Sequence, residues 1–187
     1  MKTKKRIKNR RKTKKRIFNK EDYKSNDGML TSIWGPGMWH FLHSMSFNYP
    51  VEPCQEDKEN YRDFMLSLKN VLPCGKCRKN LKGNYKKLPI TMEKLKNRDT
   101  FSRYVYDLHE LINNMLNKKS GLSYEEIRER YEHFRSRCNK KKLKNTEKGC
   151  ITPVYGEKSK CILKIVPATE NCESLEIDER CHKKIIE

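Results

Sequence analysis

No run in this sequence approaches the roughly 18 consecutive apolar residues that a membrane-spanning helix needs, so the chain reads as soluble. The opening stretch MKTKKRIKNRRKTKKR, residues 1 to 16, has no acidic residue and no apolar core segment. The second absence excludes a secretory signal, and the lack of serine and of an apolar stripe excludes a mitochondrial presequence. Apolar residues are scarce throughout: hydrophobic types make up 35% of the 187 residues against 36% charged, with a mean hydropathy of −1.02. A chain of this length and polarity suits one modest core plus tails.

Negative charge is also in short supply, with 24 Asp and Glu against 43 Lys and Arg and a formal net charge of +19. The imbalance is uneven, because residues 1–16 hold eleven Lys and Arg. A block of like charge repels itself and stays disordered until it meets an anionic surface, so an anionic partner for this basic N-terminal tail is expected. A solubilising or targeting tail is the alternative. The following FNKEDYKSNDG has no apolar period and reads as linker.

Hydrophobic periodicity then predicts helices. Trp34, Met38, Phe41, Leu42, Met45 and Tyr49 recur every three or four positions until Pro50, with Trp39 and His43 four apart on a second face. Tyr61, Phe64, Met65, Leu68 and Val71 mark a second helix behind Asp57 as cap, stopped by Pro73. CGKCRKNLKGNY reads as a short third helix with Cys74 in its first turn. Phe101, Tyr104, Val105, Leu108, Leu111, Ile112 and Met115 make the clearest stripe, capped by Asp99. Ser123 and Glu126 match the S-x-x-E capping box of a fifth helix, with Ile127, Tyr131 and Phe134 inward. Beyond Cys138 a basic linker leads to short β-branched runs around a Gly turn, read as a small module stapled by its cysteines, with a hairpin as its expected form.

Eight cysteines occur, at 54, 74, 77, 138, 150, 161, 172 and 181, and the pair in NVLPCGKCRKN is the informative one. A Cys₄ zinc site requires a second close pair, whereas the tail cysteines stand nine to eleven residues apart. A thioredoxin-like site requires a strand entering the motif, and here helix precedes and follows. The third possibility is a redox dithiol: helix-terminal N–H groups together with Lys76, Arg78 and Lys79 lower a thiol pKa, which populates thiolate for disulfide exchange. Such a pair must pass two electrons onward. Two i,i+4 pairs on helices, Trp39/His43 and His109/Asn113, suggest a cofactor site for the purpose.

Taken together, WGPGMWHFLHSMSFNYP, the CxxC of LPCGKC after an amphipathic helix, and HELINNMLNK resemble the Erv/ALR family of FAD-linked sulfhydryl oxidases, over about Trp34 to Phe134. The resemblance implies an all-α fold, a four-helix bundle plus a short fifth helix holding FAD at its mouth, usually as a homodimer. It implies that Trp39, His43, Cys77, His109, Asn113, Leu116, Lys118 and Tyr131 bind the cofactor, with Cys77 against the flavin and Cys74 as the more exposed, attacked sulfur. Electrons would run from client protein dithiols to Cys74–Cys77, then to FAD, then to O₂ with release of H₂O₂; the flavin supplies the redox chemistry and the protein the alignment. Glu110 stands where the family usually has Asn. Tyr106 and Tyr124 stand where many members carry a structural disulfide, so packing is expected to replace it.

Family members often carry a second, mobile disulfide. The candidates here are Cys172/Cys181, Cys150/Cys161 and Cys54/Cys138, with sequential pairing of the tail cysteines preferred and Cys172/Cys181 favoured as the shuttle; all six staying structural is the alternative. The cysteine-bearing tail and the Lys/Asn-rich composition look most like the oxidases of large cytoplasmic DNA viruses, which implies location in the virion and host cytoplasm. The expected organisation is a basic tail and linker over 1–30, an oxidase domain over 31–138, and a cysteine-rich extension over 139–187. The competing reading is a zinc-stapled, basic nucleic-acid-binding protein.

Overall fold

A computed structural model describes residues 20–138 and 149–181. The basic run of residues 1–16 lies outside the described residues, as does most of the linker after Cys138. The described chain is helical: α1 (Lys20–Lys24), α2 (Thr31–Phe47), α3 (Gln55–Val71), α4 (Gly75–Lys87), α5 (Arg98–Met115) and α6 (Tyr124–Glu132), with 3₁₀ turns at Glu93–Leu95 and Glu179–Cys181. Helix α1 occupies part of the expected linker and buries nothing. The five later helices correspond to the five helices expected from the sequence.

The most regular stripe makes the most central helix. Phe101, Tyr104, Val105 and Leu108 of α5 are fully enclosed by Leu42 of α2, Tyr49 beyond it, Met65 and Leu68 of α3, and Leu81 and Tyr85 of α4. Burial of such side chains stabilises the bundle by about 1.5–3 kcal/mol each. The tyrosine hydroxyls are satisfied by donating to loop or helix carbonyls: Tyr49 to Leu95 at 3.0 Å, Tyr85 to Met65 at 2.5 Å and Tyr104 to Leu88 at 3.2 Å. A second, smaller cluster of Phe47, Tyr124 and Tyr131 seats α6 against α2.

Two caps differ from the sequence expectation. Helix α3 is capped by Cys54, whose Sγ accepts from the Asp57 N–H while the Asp57 carboxylate accepts from the Cys54 N–H. Asp57 is thus the reciprocal partner and not the cap. Helix α5 is likewise capped by Asn97, with Thr100 closing the box, so Asp99 falls inside the first turn. Both are the capping-box geometry with unusual residues. The Ser123/Glu126 box of α6 is as expected.

The C-terminal segment forms no hairpin among the described residues. Among the described residues it meets the chain after α6 through an antiparallel bridge, Ser136 to Pro153, flanked by bonds from the Arg137 N–H to the Thr152 carbonyl and from the Val154 N–H to the Arg135 carbonyl. The β-branched run is left in water, with Ile162, Leu163 and Ile165 each more than two-thirds exposed, because no second apolar layer is available to cover it. The bridge brings the cysteines on either side of it together, so the disulfide is Cys138–Cys150. That replaces the expected Cys150/Cys161 and Cys54/Cys138 pairings. Cys54, Cys161, Cys172 and Cys181 are free thiols. The last 3₁₀ turn folds back on Gly156, where an added Cβ would meet the Cys181 carbonyl carbon at 2.7 Å. Gly156 has a φ of 65° as well, so the turn needs glycine for both reasons.

Candidate functional site

The redox candidate forms by local rules. Pro73 ends the preceding segment, and Cys74 becomes the cap of α4, its Sγ accepting from the Cys77 N–H at 3.2 Å. Cys74 and Cys77 are disulfide-bonded, and both are half-buried, so exposure does not separate their roles. Position does: Cys74 caps the helix, whereas Cys77 turns towards α2, with Thr31 Oγ1 3.7 Å from its Sγ. Charge that develops on either sulfur is opposed to the positive end of α4.

A strap that the sequence did not reveal lies over the pair. The Met29 N–H donates to the Pro73 carbonyl at 2.8 Å, and the Trp34 Nε1–H donates back to the Met29 carbonyl at 3.2 Å. Gly28 passes so close that a Cβ there would meet Cys74 Cα at 3.1 Å and the Pro73 oxygen at 3.2 Å. Helix α2 therefore starts beside the disulfide and carries Trp39 about 12 Å further along its axis from Thr31.

That part of α2 packs on α5 and builds a ring cluster. Trp39 stacks on His109 with centroids 3.8 Å apart and planes 8° from parallel. His43 Nε2 lies 3.0 Å from His109 Nδ1, and the His43 ring also faces Tyr131 at 5.3 Å. Burial pushes the His43 imidazole down to about 3, helped by the neighbouring His109 and His40, and pushes His109 down to about 4. Both rings are neutral at neutral pH. Burial also raises the Tyr131 phenol to about 12, so it remains a hydrogen-bonding O–H.

The remaining expected residues divide. Asn113 is turned along its own helix, donating Nδ2–H to Glu110 Oε1 at 3.0 Å, and so does not join His109 as a polar pair. Glu110, the departure from the family pattern, thus holds Asn113. Leu116 is the C-cap of α5 and about half exposed, while the Lys118 N–H closes the turn onto the Asn113 carbonyl at 2.9 Å. The Lys118 charge helps lower the His109 pKa, which places it within electrostatic reach of the cluster. His40 was missed: its Nδ1 lies 3.3 Å from the Tyr131 hydroxyl, joining α2 to α6. The sequence offers no signal for it beyond adjacency to Trp39, since its partner is 91 residues away. Tyr106 and Tyr124 pack against each other edge to face, with ring centroids 5.8 Å apart.

The cluster fits a flat, conjugated nucleotide cofactor on one observation in particular. His43 is 3% exposed, and its Nδ1 has no hydrogen-bond partner. In either tautomer of the His43–His109 bond, one ring nitrogen waits for a donor or an acceptor, and an unmet group of this kind costs about 1–3 kcal/mol. The aromatic rings of Trp39 and Tyr131 supply apolar surface beside it. The zinc-stapled alternative gains no support: among the described residues no group of three or more His, Cys, Asp or Glu side chains could hold a metal ion. No described helix is long and apolar enough to cross a membrane.

Comparison with known proteins agrees with this geometry. The Erv1 / Alr family model matches residues 36–146. A protein of Acanthamoeba polyphaga mimivirus named as a probable FAD-linked sulfhydryl oxidase is 39% identical over 104 residues, 56% of this chain and 72% of that one. The FAD-linked sulfhydryl oxidase of an African swine fever virus isolate is 31% identical over 99 residues, 53% of this chain and 80% of the viral protein. Among solved structures, the FAD binding domain of Erv1 from Saccharomyces cerevisiae superposes with a TM-score of 0.50 at 21% identity, over 55% of this chain and 94% of that domain. That last likeness is one of fold.

Proposed function

This chain belongs to the Erv1 / Alr family, and from that premise we propose that it is an FAD-dependent thiol oxidase that forms disulfides in client proteins. The observation that carries the reading is the Cys74–Cys77 disulfide at the head of α4, strapped to the start of the same helix that presents Trp39 and His43. A client thiolate attacks Cys74 Sγ, the Cys74–Cys77 bond breaks, and Cys77 leaves as thiolate. The client's second thiolate then attacks the client sulfur of the mixed disulfide and expels Cys74. Two electrons pass to the pair and the client leaves oxidised. The N-terminus of α4 and the cations Lys76, Arg78 and Lys79 make both sulfurs good leaving groups by stabilising thiolate.

FAD, when bound, accepts two electrons from the dithiol and delivers them to O₂ as H₂O₂. Trp39, His43, His109, Asn113, Leu116, Lys118 and Tyr131 are assigned to hold it, and His43 Nδ1 is the group that most needs it. Cys77 is assigned as the sulfur that hands electrons on.

Four further readings are supported to different degrees. Homodimerisation is supported by an apolar groove of about 370 Å³ between α2 and α3, lined by Trp34, Met38, Phe41, Leu68, Val71 and Leu72, of which Phe41 and Val71 are at least half exposed. Location in the virion and host cytoplasm is supported by the viral relatives. An anionic partner for the basic tail rests on its charge alone. Cys172/Cys181 as an electron shuttle is supported by both being free thiols.

Oxygen uptake with dithiothreitol as electron donor tests the activity. Uptake is expected from the native protein and not from a Cys77→Ser variant that still binds flavin. Uptake by that variant at the native rate contradicts the assignment.

A further inference from the structure

The helix that begins with the redox pair is positively charged along its whole outer face. Lys76, Lys79, Lys82, Lys86 and Lys87 are all exposed, whereas Leu81, Asn84 and Tyr85 are buried against α3 and α5. At 100° per residue the five lysines fall within an arc of roughly 140° over about 16 Å, opposite the face that carries Cys77, Leu81, Asn84 and Tyr85, and the row begins at Lys76, between the two cysteines in sequence. Helix α4 contains no acidic residue, and among the described residues no ion pair joins these lysines to a carboxylate.

Helix stability accounts for only part of this row, since Lys86 and Lys87 in the last turn suit the dipole. Lys76 and Lys79 stand at the helix N-terminus, where a cation opposes the dipole. Lys79 and Lys82, and Lys82 and Lys86, are like charges at i,i+3 and i,i+4, each pair costing a few tenths of a kcal/mol. Cations against the dipole at the edge of a site, beside like charges, point to the site's partner.

We propose that this face of α4 is the docking track for clients, and that it selects protein thiols flanked by acidic segments. The inference rests on the thiol-oxidase reading and names the substrate class for it. The row begins at the N-terminus of α4, the end that Cys74 caps, and what the disulfide there exchanges with is a thiol, which a protein segment carries and a nucleic acid does not. Opposite charge raises the encounter rate and orients the incoming segment along α4, bringing its cysteine to the helix N-terminus that Cys74 caps.

The test uses the full-length, flavin-loaded protein and three peptides of equal length, each with one C-x-x-C dithiol, flanked by glutamates, serines or lysines. The expected kcat/KM order is glutamate, serine, lysine, with about tenfold between the first two at low salt. High salt should bring the three together, as screening shortens the reach of surface charge. In Lys82→Glu/Lys86→Glu/Lys87→Glu the order should invert, and the corresponding glutamine variant, which is the milder change for folding, should flatten it. Bound flavin and helical circular dichroism report that each variant is folded. Equal rates for the three peptides with the native protein overturn the docking proposal and leave the oxidase reading standing. Reversal variants that lose duplex DNA binding while the peptide order is unmoved also overturn it, assigning the face to nucleic acid. Native protein that oxidises neither the serine peptide nor dithiothreitol removes the oxidase reading, and the docking proposal with it.

Discussion

His43 Nε2 lies 3.0 Å from His109 Nδ1, a histidine pair that joins α2 to α5 with both rings held well below their ordinary pKa by burial. In the unfolded chain each ring takes a proton near 6.5, whereas the folded rings resist until about 3 for His43 and about 4 for His109. The unfolded state therefore binds more protons than the native state as pH falls below 6.5, and stability falls with it. The contribution is intact above about pH 7 and is lost progressively from 6.5 down towards about 4 for His109 and about 3 for His43. Thermal melting of the cofactor-free protein should show a falling midpoint already between about pH 6.5 and 5, before most carboxylates titrate. A midpoint flat across that interval contradicts the buried pair.

Tyr124 gives a second test. Its hydroxyl lies 2.8 Å from Ser102 Oγ and 3.2 Å from Asp99 Oδ1, and the Arg103 guanidinium sits 3.9 Å from its ring centroid. Tyr124→Phe removes the hydrogen bonds and keeps the ring, so the urea midpoint should fall by the equivalent of about 1 kcal/mol. An unchanged midpoint means that α6 is not held by this latch.

Much of this bundle is written in periodicity, and the errors in reading it have local causes. The stripes of α2 to α6 are legible because each helix buries one face. The caps of α3 and α5 were misplaced by three and two residues because an aspartate stood nearby, while the residues doing the capping, Cys54 and Asn97, belong to C-x-x-D and N-x-x-T patterns rather than S-x-x-E. At the site, Trp39, His43 and His109 are legible from i,i+4 spacing and Tyr131 from the family resemblance, and the four do meet. His40 and the Gly28–Met29 strap were not legible, because their partners, Tyr131 and Pro73, are brought to them only by packing between helices. The tail misled most. β-branched residues predict strands when something covers them, and here nothing does.

Cys54 separates a structural cysteine from a shuttle. It caps α3 through its sulfur and is a free thiol. Cys54→Ser should keep both the helix cap and the turnover of protein thiols, whereas Cys54→Ala should lower stability by about 1 kcal/mol. Reduced turnover of a protein dithiol by Cys54→Ser contradicts the structural role.

Gly28 tests the strap. A valine there needs room already held by Cys74 Cα and the Pro73 carbonyl. Gly28→Val should lift the strap, exposing the Met29 amide to rapid hydrogen exchange and shifting the emission of Trp34, whose indole loses the Met29 carbonyl. Native-like protection of that amide in the variant contradicts the contact.

The visible spectrum of the purified protein, taken before and after anaerobic dithiothreitol, addresses the central claim most directly. The account predicts yellow protein with flavin bands, which bleach on reduction, and a long-wavelength charge-transfer band at intermediate reduction that disappears in Cys77→Ser. Colourless, flavin-free protein purified from a flavin-replete preparation would contradict it.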